Sequence, residues 1–396
     1  MTPPPSAKAA MQTITTTAEL ARFCDLAKTQ AYVTVDTEFL RERTYWSKLC
    51  LIQMALPGKQ GEAVLVDPIA GGEGLSLDPL YDLFRHEGTV KVFHAARQDL
   101  EIFFVEGNVF PVPLFDTQVA AMVCGFGEQV GYETLVRKIA RESLDKTSRF
   151  TDWSRRPLSE AQKQYALADV THLRVIYEFL ARELARTGRT AWVEEELGIL
   201  LTPETYITRP EEAWERVKTR TTSGRFLAIV RELARFREEF AQGRNIPRSR
   251  VFKDDALLEL ASTRPANLED LGRSRLLLPE ARKGEIADGI LAAVKAGLEA
   301  RPEDLPRISD ERDQLQVNSA LADLLRVLLK AKSEEAGVAA KLIASSADLD
   351  VIAAGGRDVD ALQGWRREVF GEDALRLCKG EVALSARGGA VRVIPA

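Results

Sequence analysis

Histidine and cysteine are scarce in this sequence. Three histidines and four cysteines (Cys24, Cys50, Cys124 and Cys378) are spread over 396 residues. No Cys-x-x-Cys pair occurs, which argues against a structural zinc site and points to a reducing compartment, with the cytoplasm as the default. A histidine-built metal site is equally poorly supplied. No apolar run approaches the length of a membrane span. Residues 1–10 are rich in Pro and Ala and lack the apolar segment of a signal peptide, so they read as a short mobile tail. A G-x-x-x-x-G-K-[ST] phosphate loop is missing: the Gly71, Gly72, Gly74 cluster has no lysine, and Gly125-Phe126-Gly127 leads to no further glycine at dinucleotide-fold spacing. A nucleotide-driven motor and a dinucleotide cofactor are both set aside.

What remains is a globular composition, 45% hydrophobic and 29% charged, long enough for two or three domains. The net charge of -5 offers nucleic acid no global attraction. Charge is distributed unevenly, however. Residues 209–253 carry twelve Arg or Lys against six Glu, a local balance of +6.

The first half alternates apolar strands with amphipathic helices, an α/β signature. Strands are expected at residues 31–39, 48–56, 62–67 and 90–95, the first three pairing as an antiparallel meander. Helices are expected at 96–106, 116–124, 131–141 and 159–184. The last opens on Ser159 and Gln162 in capping-box spacing after Pro157. From about residue 190 strand signals fade. Pro203, Pro210 and the threonines near 219–222 precede a helix with Phe226, Ile229, Val230, Leu233 and Phe236 at helical spacing. A second punctuated stretch near 300–313 precedes a helical block running nearly to the C-terminus. The expected division is a flexible tail at 1–11, an α/β domain at 12–188, and small helical domains at 212–300 and 308–396.

The segment AYVTVDTEF, residues 31–39, ends an apolar strand with two acids. Alternation puts Val33, Val35, Thr37 and Phe39 on one face and Asp36 and Glu38 on the other. Two carboxylates pointing the same way favour protonation of one, unless a cation or hydrogen-bond donors compensate. Two later segments also offer acids. Asp99 falls near the start of the helix that follows strand 90–95, and Tyr165 and Asp169, four apart, share a helix face.

Taken together, Asp-x-Glu on the first strand, Asp opening a helix and Tyr-x-x-x-Asp on a later helix resemble the tyrosine branch of the DEDD exonuclease superfamily. The wider pattern resembles the ribonuclease D family: DTEFLRERTYW, Leu-Ile-Gln at 51–53, VFHAARQDLE, FDTQ at 115–118, LDKTSRFTDWSRRPLS and YALADV occur in that family's order. The segment RELARFREEFAQGRNIPRSRVFKDDALLELA resembles a helicase-and-RNase-D C-terminal (HRDC) domain, and the final block a diverged second copy. The histidine branch would place His five residues before the last Asp, where this chain has Gln164.

The resemblance implies a ribonuclease H-like α/β fold, a mixed sheet flanked by helices, followed by two small all-α HRDC-type domains. It implies a catalytic set of Asp36, Glu38, Asp99, Tyr165 and Asp169. Four gathered carboxylates would repel strongly, and two divalent cations would neutralise them and hold a phosphate. All-oxygen ligands favour Mg2+ or Mn2+. By resemblance, Asp36, Glu38 and Asp169 hold one cation beside the attacking water, Asp36 with Asp99 a second near the departing 3′ oxygen, and Tyr165 orients the water. His94 is matched in the family and is read as shaping the site.

The implied activity is 3′-to-5′ trimming of RNA, with release of 5′-mononucleotides and precursor tRNA as the family substrate. A single-stranded 3′ end needs phosphate contacts and stacking surfaces. Candidates are Phe39, Arg41, Arg43, Tyr45, Trp46, His94, Trp153, Arg155 and Arg156, with Arg231, Arg235, Arg244, Arg248 and Arg250 forming an RNA-gripping patch in the first helical domain. No membrane and no obligate protein partner is indicated. The alternatives are a DNA exonuclease of the same superfamily and a catalytically silent RNA-binding protein. The latter predicts a lost carboxylate, and none is lost.

Overall fold

Alternating β-branched and apolar residues after Ala31 build the central strand of a six-stranded sheet. The computed structural model describes residues 12–58, 61–145, 151–221, 223–306 and 316–396; the tail expected at 1–11 lies outside them. The strands are β1 (Gln12–Ile14), β2 (Tyr32–Leu40), β3 (Lys48–Ala55), β4 (Ala63–Val66), β5 (Val90–Phe93) and β6 (Leu114–Asp116), in the order β1-β4-β3-β2-β5-β6. The expected meander is present, β2 with β3 and β3 with β4 antiparallel. The other neighbours pair in parallel. Strands β1 and β6 were not anticipated, because three residues are too few to show a period of two.

Helices cover both faces of the sheet. On one, Val33 and Val35 join a core with Leu20 and Phe23 of α1 (Thr17–Lys28), Leu80 and Phe84 of α2 (Asp78–Arg85) and Leu100 and Phe103 of α3 (Arg97–Gly107). After β6 comes α4 (Thr117–Val123). On the other face lies α5 (Glu160–Thr187), opened by the expected Ser159–Gln162 capping box. The Thr34 hydroxyl, facing α5, donates to the Val170 carbonyl at 2.9 Å. The strand's second face is thereby tied to the helix that carries Asp169.

The β2–β3 pairing shifts between Glu38 and Phe39, so that Cys50 has no counterpart across the ladder. Bulges re-aim the side chains beside them. The free Cys50 carbonyl accepts from Arg156 Nη2 at 2.7 Å, and the same guanidinium pairs with Asp67 through Nε at 2.6 Å.

Downstream of α6 (Thr190–Leu200), the helices α7 (Gly224–Arg244), α8 (Asp254–Thr263) and α9 (Gly284–Glu299) enclose a second core containing Ile229, Leu233, Leu257, Leu260, Ile290 and Val294. A Cβ at Gly297 would lie 2.5 Å from the Ile229 Cα, so α7 and α9 touch backbone to backbone there. A third core gathers Leu325 and Leu328 of α10 (Ser319–Ala336) with Ile343, Leu349, Trp365 and Phe370. The third core packs on the first domain: Trp365 stacks on Trp192 of α6 with centroids 4.6 Å apart, and Arg366 pairs with Glu195 at 2.5 Å and with Glu196.

One expectation is corrected here. The final block is not all-α: β7 (Val382–Arg387) and β8 (Ala390–Pro395) close the chain as an antiparallel hairpin. The turn uses Gly388 and Gly389 at φ 62 and 82, a conformation that glycine adopts without strain. Among the described residues, no helix is long and apolar enough to cross a membrane.

Candidate active site

The carboxylates converge where β2, α3 and α5 meet. Asp36 and Glu38 point from β2 toward α5, where Asp169 projects back. One oxygen from each of the three lies within 4.8 Å of the others. Asp99 arrives from the first turn of α3, only 5% exposed, and accepts a hydrogen bond from the Thr37 hydroxyl. Thr37 alternates to the opposite face from Asp36 and Glu38, so Asp99 approaches across the strand and stands outside the three-carboxylate group. Its charge still acts on both Asp36 and Glu38.

Burial and mutual repulsion dominate the electrostatics. Asp36 is held well above the usual carboxylate range by burial first, then by the charges of Asp99, Asp169 and Glu38. Burial, with Asp169 and Asp99, pushes Glu38 up to about 9. Burial raises Asp99 to about 7, against the opposing hydrogen bond from Thr37. Burial and the neighbouring carboxylates together disfavour the charged form of each of these acids. This donor set, all oxygen, acidic and tightly clustered, suits a hard divalent ion.

Tyr165 lies one turn before Asp169 on α5. Burial raises its phenol, followed by the charges of Asp169, Glu38 and Asp36 and its hydrogen bond to Asp169. A cavity of about 240 Å3 opens beside these groups, lined by Asp36, His94, Tyr132, Tyr165, Asp169 and Leu173. His94 Nδ1 sits 3.0 Å from the Thr117 hydroxyl, and its ring lies 5.4 Å from that of Tyr132. Burial lowers its pKa, with Asp116 opposing. The histidine is therefore placed in the site as a neutral wall.

The remaining candidates divide. Beyond the bulge, Phe39 packs on the main core. Trp153 is 3% exposed and lies in a small core with Cys50, Leu51 and Ala166, its ring 6.1 Å from Tyr165, so it supports the tyrosine from beneath. Arg156 is tied into the Asp67 and Cys50 contacts, and Arg155 pairs with Asp152 at 3.2 Å. Arg41 is exposed and pairs with Glu101 at 2.7 Å. Trp46 stands edge-on against Tyr45 at 4.6 Å. In the first helical domain, Arg231 pairs with Glu232 at 3.0 Å, Arg235 with Glu239 at 2.9 Å, Arg244 with Glu285 at 2.5 Å and Arg248 with Glu238 at 2.5 Å. Arg250 is exposed on the short helical segment Arg248–Val251 that follows α7.

Two supporting residues, Tyr132 and Asp116, are not among the site candidates named from the sequence. The buried Tyr132 hydroxyl donates to the main-chain carbonyl of Asp169 and lies 3.2 Å from that of Ala168, which fixes the backbone of α5 at the site. Asp116 accepts from the N–H groups of Ala95 at 3.0 Å, Ala96 at 2.8 Å and Gln118 at 2.7 Å. It thereby holds the turn, with Ala95 at φ 57, that launches α3 and Asp99. The FDTQ segment contained this signal: an acid one residue before a helix is an N-cap.

Comparison with known proteins agrees with this geometry. Residues 11–185 match the 3′-5′ exonuclease family and residues 226–294 the HRDC domain. The chain is 65% identical over 383 residues to the ribonuclease D of Jannaschia sp., covering 96% of this chain and 99% of that protein. It is 50% identical to the ribonuclease D of Nitrobacter hamburgensis, with coverage of 96% and 98%. Among solved structures it is similar to Escherichia coli RNase D, an exoribonuclease involved in structured RNA processing, with a TM-score of 0.81 and 28% identity over 93% of this chain and 98% of that one. This chain belongs to the ribonuclease D family of 3′-to-5′ exoribonucleases.

Proposed function

We propose that the protein shortens RNA from its 3′ end one nucleotide at a time, releases 5′-mononucleotides, and takes precursor tRNAs among its substrates in the cytoplasm. In this reading residues 12–188 carry the chemistry, residues 212–300 form a first HRDC domain and residues 308–396 a diverged second. Asp36, Glu38 and Asp169 would hold one Mg2+ or Mn2+, and Asp36 with Asp99 a second. When bound, such ions neutralise the acids and polarise a phosphodiester.

The chain's own residues supply the rest. Tyr165 stays a neutral phenol, because its neighbours are acids and its pKa is raised. It can donate and accept hydrogen bonds and so orient a water molecule beside Asp169, while acting as no free base. His94 and Tyr132 wall the cavity in which the terminal nucleotide would sit. The observation that carries the reading is the close approach of Asp36, Glu38 and Asp169, one oxygen of each within 4.8 Å of the others, with Asp36 and Glu38 both raised by burial and by their acidic neighbours.

The test is a time course on 5′-labelled RNA bearing a free 3′ hydroxyl, in Mg2+. Stepwise shortening from the 3′ end with 5′-mononucleotide release is expected. Internal fragments, or products ending in a 3′ phosphate, contradict the proposal. Running precursor tRNA against single-stranded DNA of matched length separates the RNA assignment from its DNA rival.

A further inference from the structure

A second and larger cleft, about 930 Å3, lies between the α/β domain and the first helical domain. Its lining includes Arg41 and Trp46 from the loop after β2, Arg97 and Glu101 from α3, Arg216 from the connecting segment, and Arg248 from the short helical segment after α7. Arg97 stands two residues before Asp99, and the loop begins three residues after Glu38. One wall of the cleft is thus continuous with the elements that present the carboxylates.

The cleft's charges are only partly matched. Arg41 pairs with Glu101 and Arg248 with Glu238. Arg97 and Arg216 have no carboxylate partner among the described residues; Arg216 donates only to the Thr208 hydroxyl, at 3.0 Å. Both are exposed. An interface that served only to join two domains has no need of two unmatched guanidiniums beside an indole. A phosphodiester strand does, because guanidinium binds phosphate and bases stack on aromatic rings.

The wall is also fixed in place. Asn245 Oδ1 accepts from the backbone N–H groups of Tyr45 at 3.1 Å and Trp46 at 3.0 Å. The Tyr45 hydroxyl bonds to the buried Glu238 and accepts from Arg248 Nη2 at 3.0 Å and Gln242 Nε2 at 3.2 Å. The first helical domain therefore shapes a surface that begins at the catalytic strand. Four of its five expected RNA-gripping arginines are paired within the protein, which makes the cleft, with its two unmatched cations, the better place for RNA.

We propose that this cleft seats the single-stranded RNA immediately upstream of the scissile bond, with Arg97 and Arg216 on backbone phosphates and Trp46 as a stacking surface. The assignment rests on the reading of the carboxylate cluster as a 3′-end nuclease site. It is tested by fluorescence anisotropy of a 5′-labelled octaribonucleotide in chelator, where the readout does not depend on hydrolysis. Arg97→Gln and Arg216→Gln should each weaken binding and flatten the slope of log affinity against log salt by about 0.7, the value for one phosphate contact on a single strand. Arg216→Lys, which keeps the charge, should restore the slope. Wild-type slopes in both Gln variants overturn the assignment, as does an equal loss for Arg216→Lys and Arg216→Gln. Failure of the nuclease reading itself shows elsewhere, as the absence of 3′ trimming by the wild type in Mg2+.

Discussion

Binding of a divalent cation at the carboxylate cluster should expel protons, and the size of the effect follows from the site. With Glu38 at about 9, the group is two units below its midpoint at pH 7 and only about 1% ionised. Asp99, at about 7, is half ionised there. A cation recruits the anionic forms, so its apparent affinity falls about tenfold for each pH unit a required ligand lies below its midpoint. Mg2+ affinity should therefore rise at least tenfold per unit between pH 7 and 9, more steeply below 7 where Asp99 is also protonated, and level off above about 9. Asp36, raised by the same neighbours, steepens the rise. The stability of the metal-free protein moves the other way. These acids have raised pKa values in the native state, so between about 4.5 and 9 it holds protons that the unfolded chain has released, and stability falls as pH rises through that window. Calorimetric titration of Mg2+ in buffers of different ionisation enthalpy counts the protons, and thermal unfolding in chelator follows the stability. A Mg2+ affinity that is flat from pH 7 to 9, with no protons released, refutes the reasoning.

Tyr165→Phe should lower kcat on RNA about 100-fold, the order expected for a misplaced reacting group, with KM little changed; an unaltered kcat removes Tyr165 from the reaction. Arg366→Ala should destabilise the packing of the C-terminal block by about 3 kcal/mol, because it strands the buried Glu196 without its cation. Burial already raises Glu196, against the opposing Arg366 charge, so the loss in urea denaturation should be larger at pH 8 than at pH 5, where protonation removes the unpaired charge. Gly297→Ala should force α7 and α9 apart at Ile229 at a cost of about 2 kcal/mol, read as a lower unfolding midpoint of the first helical domain. No change there would mean the helices relax freely.

Much of the site was legible because its geometry is local. Strand alternation put Asp36 and Glu38 on one face, the four-residue spacing placed Tyr165 over Asp169, and the capping box opened α5 where expected. That the two segments meet could come only from family likeness, since no local period encodes a contact between residues 36 and 169. Long-range packing was the part not legible. Trp153 and Arg156 sit in a motif-rich segment and looked suited to RNA, yet they support Tyr165 and the Cys50 bulge from within the fold. The +6 balance of residues 209–253 includes Glu238, which pairs with Arg248 from ten residues away, but not Glu285, which reaches Arg244 from α9 and lies outside the segment. The C-terminal hairpin could have been read: VALSAR and AVRVIP alternate on either side of two glycines, the signature of a tight turn between strands.

The most direct measurement is release of the terminal nucleotide from 3′-labelled RNA by the wild type and by Asp36→Asn, each in Mg2+ and in chelator. The predicted result is release by the wild type in Mg2+ alone, with loss of at least about 100-fold in Asp36→Asn, on the scale of removing a group that stabilises transition-state charge. Undiminished release in chelator, or by Asp36→Asn, contradicts a reaction organised by cations on these carboxylates.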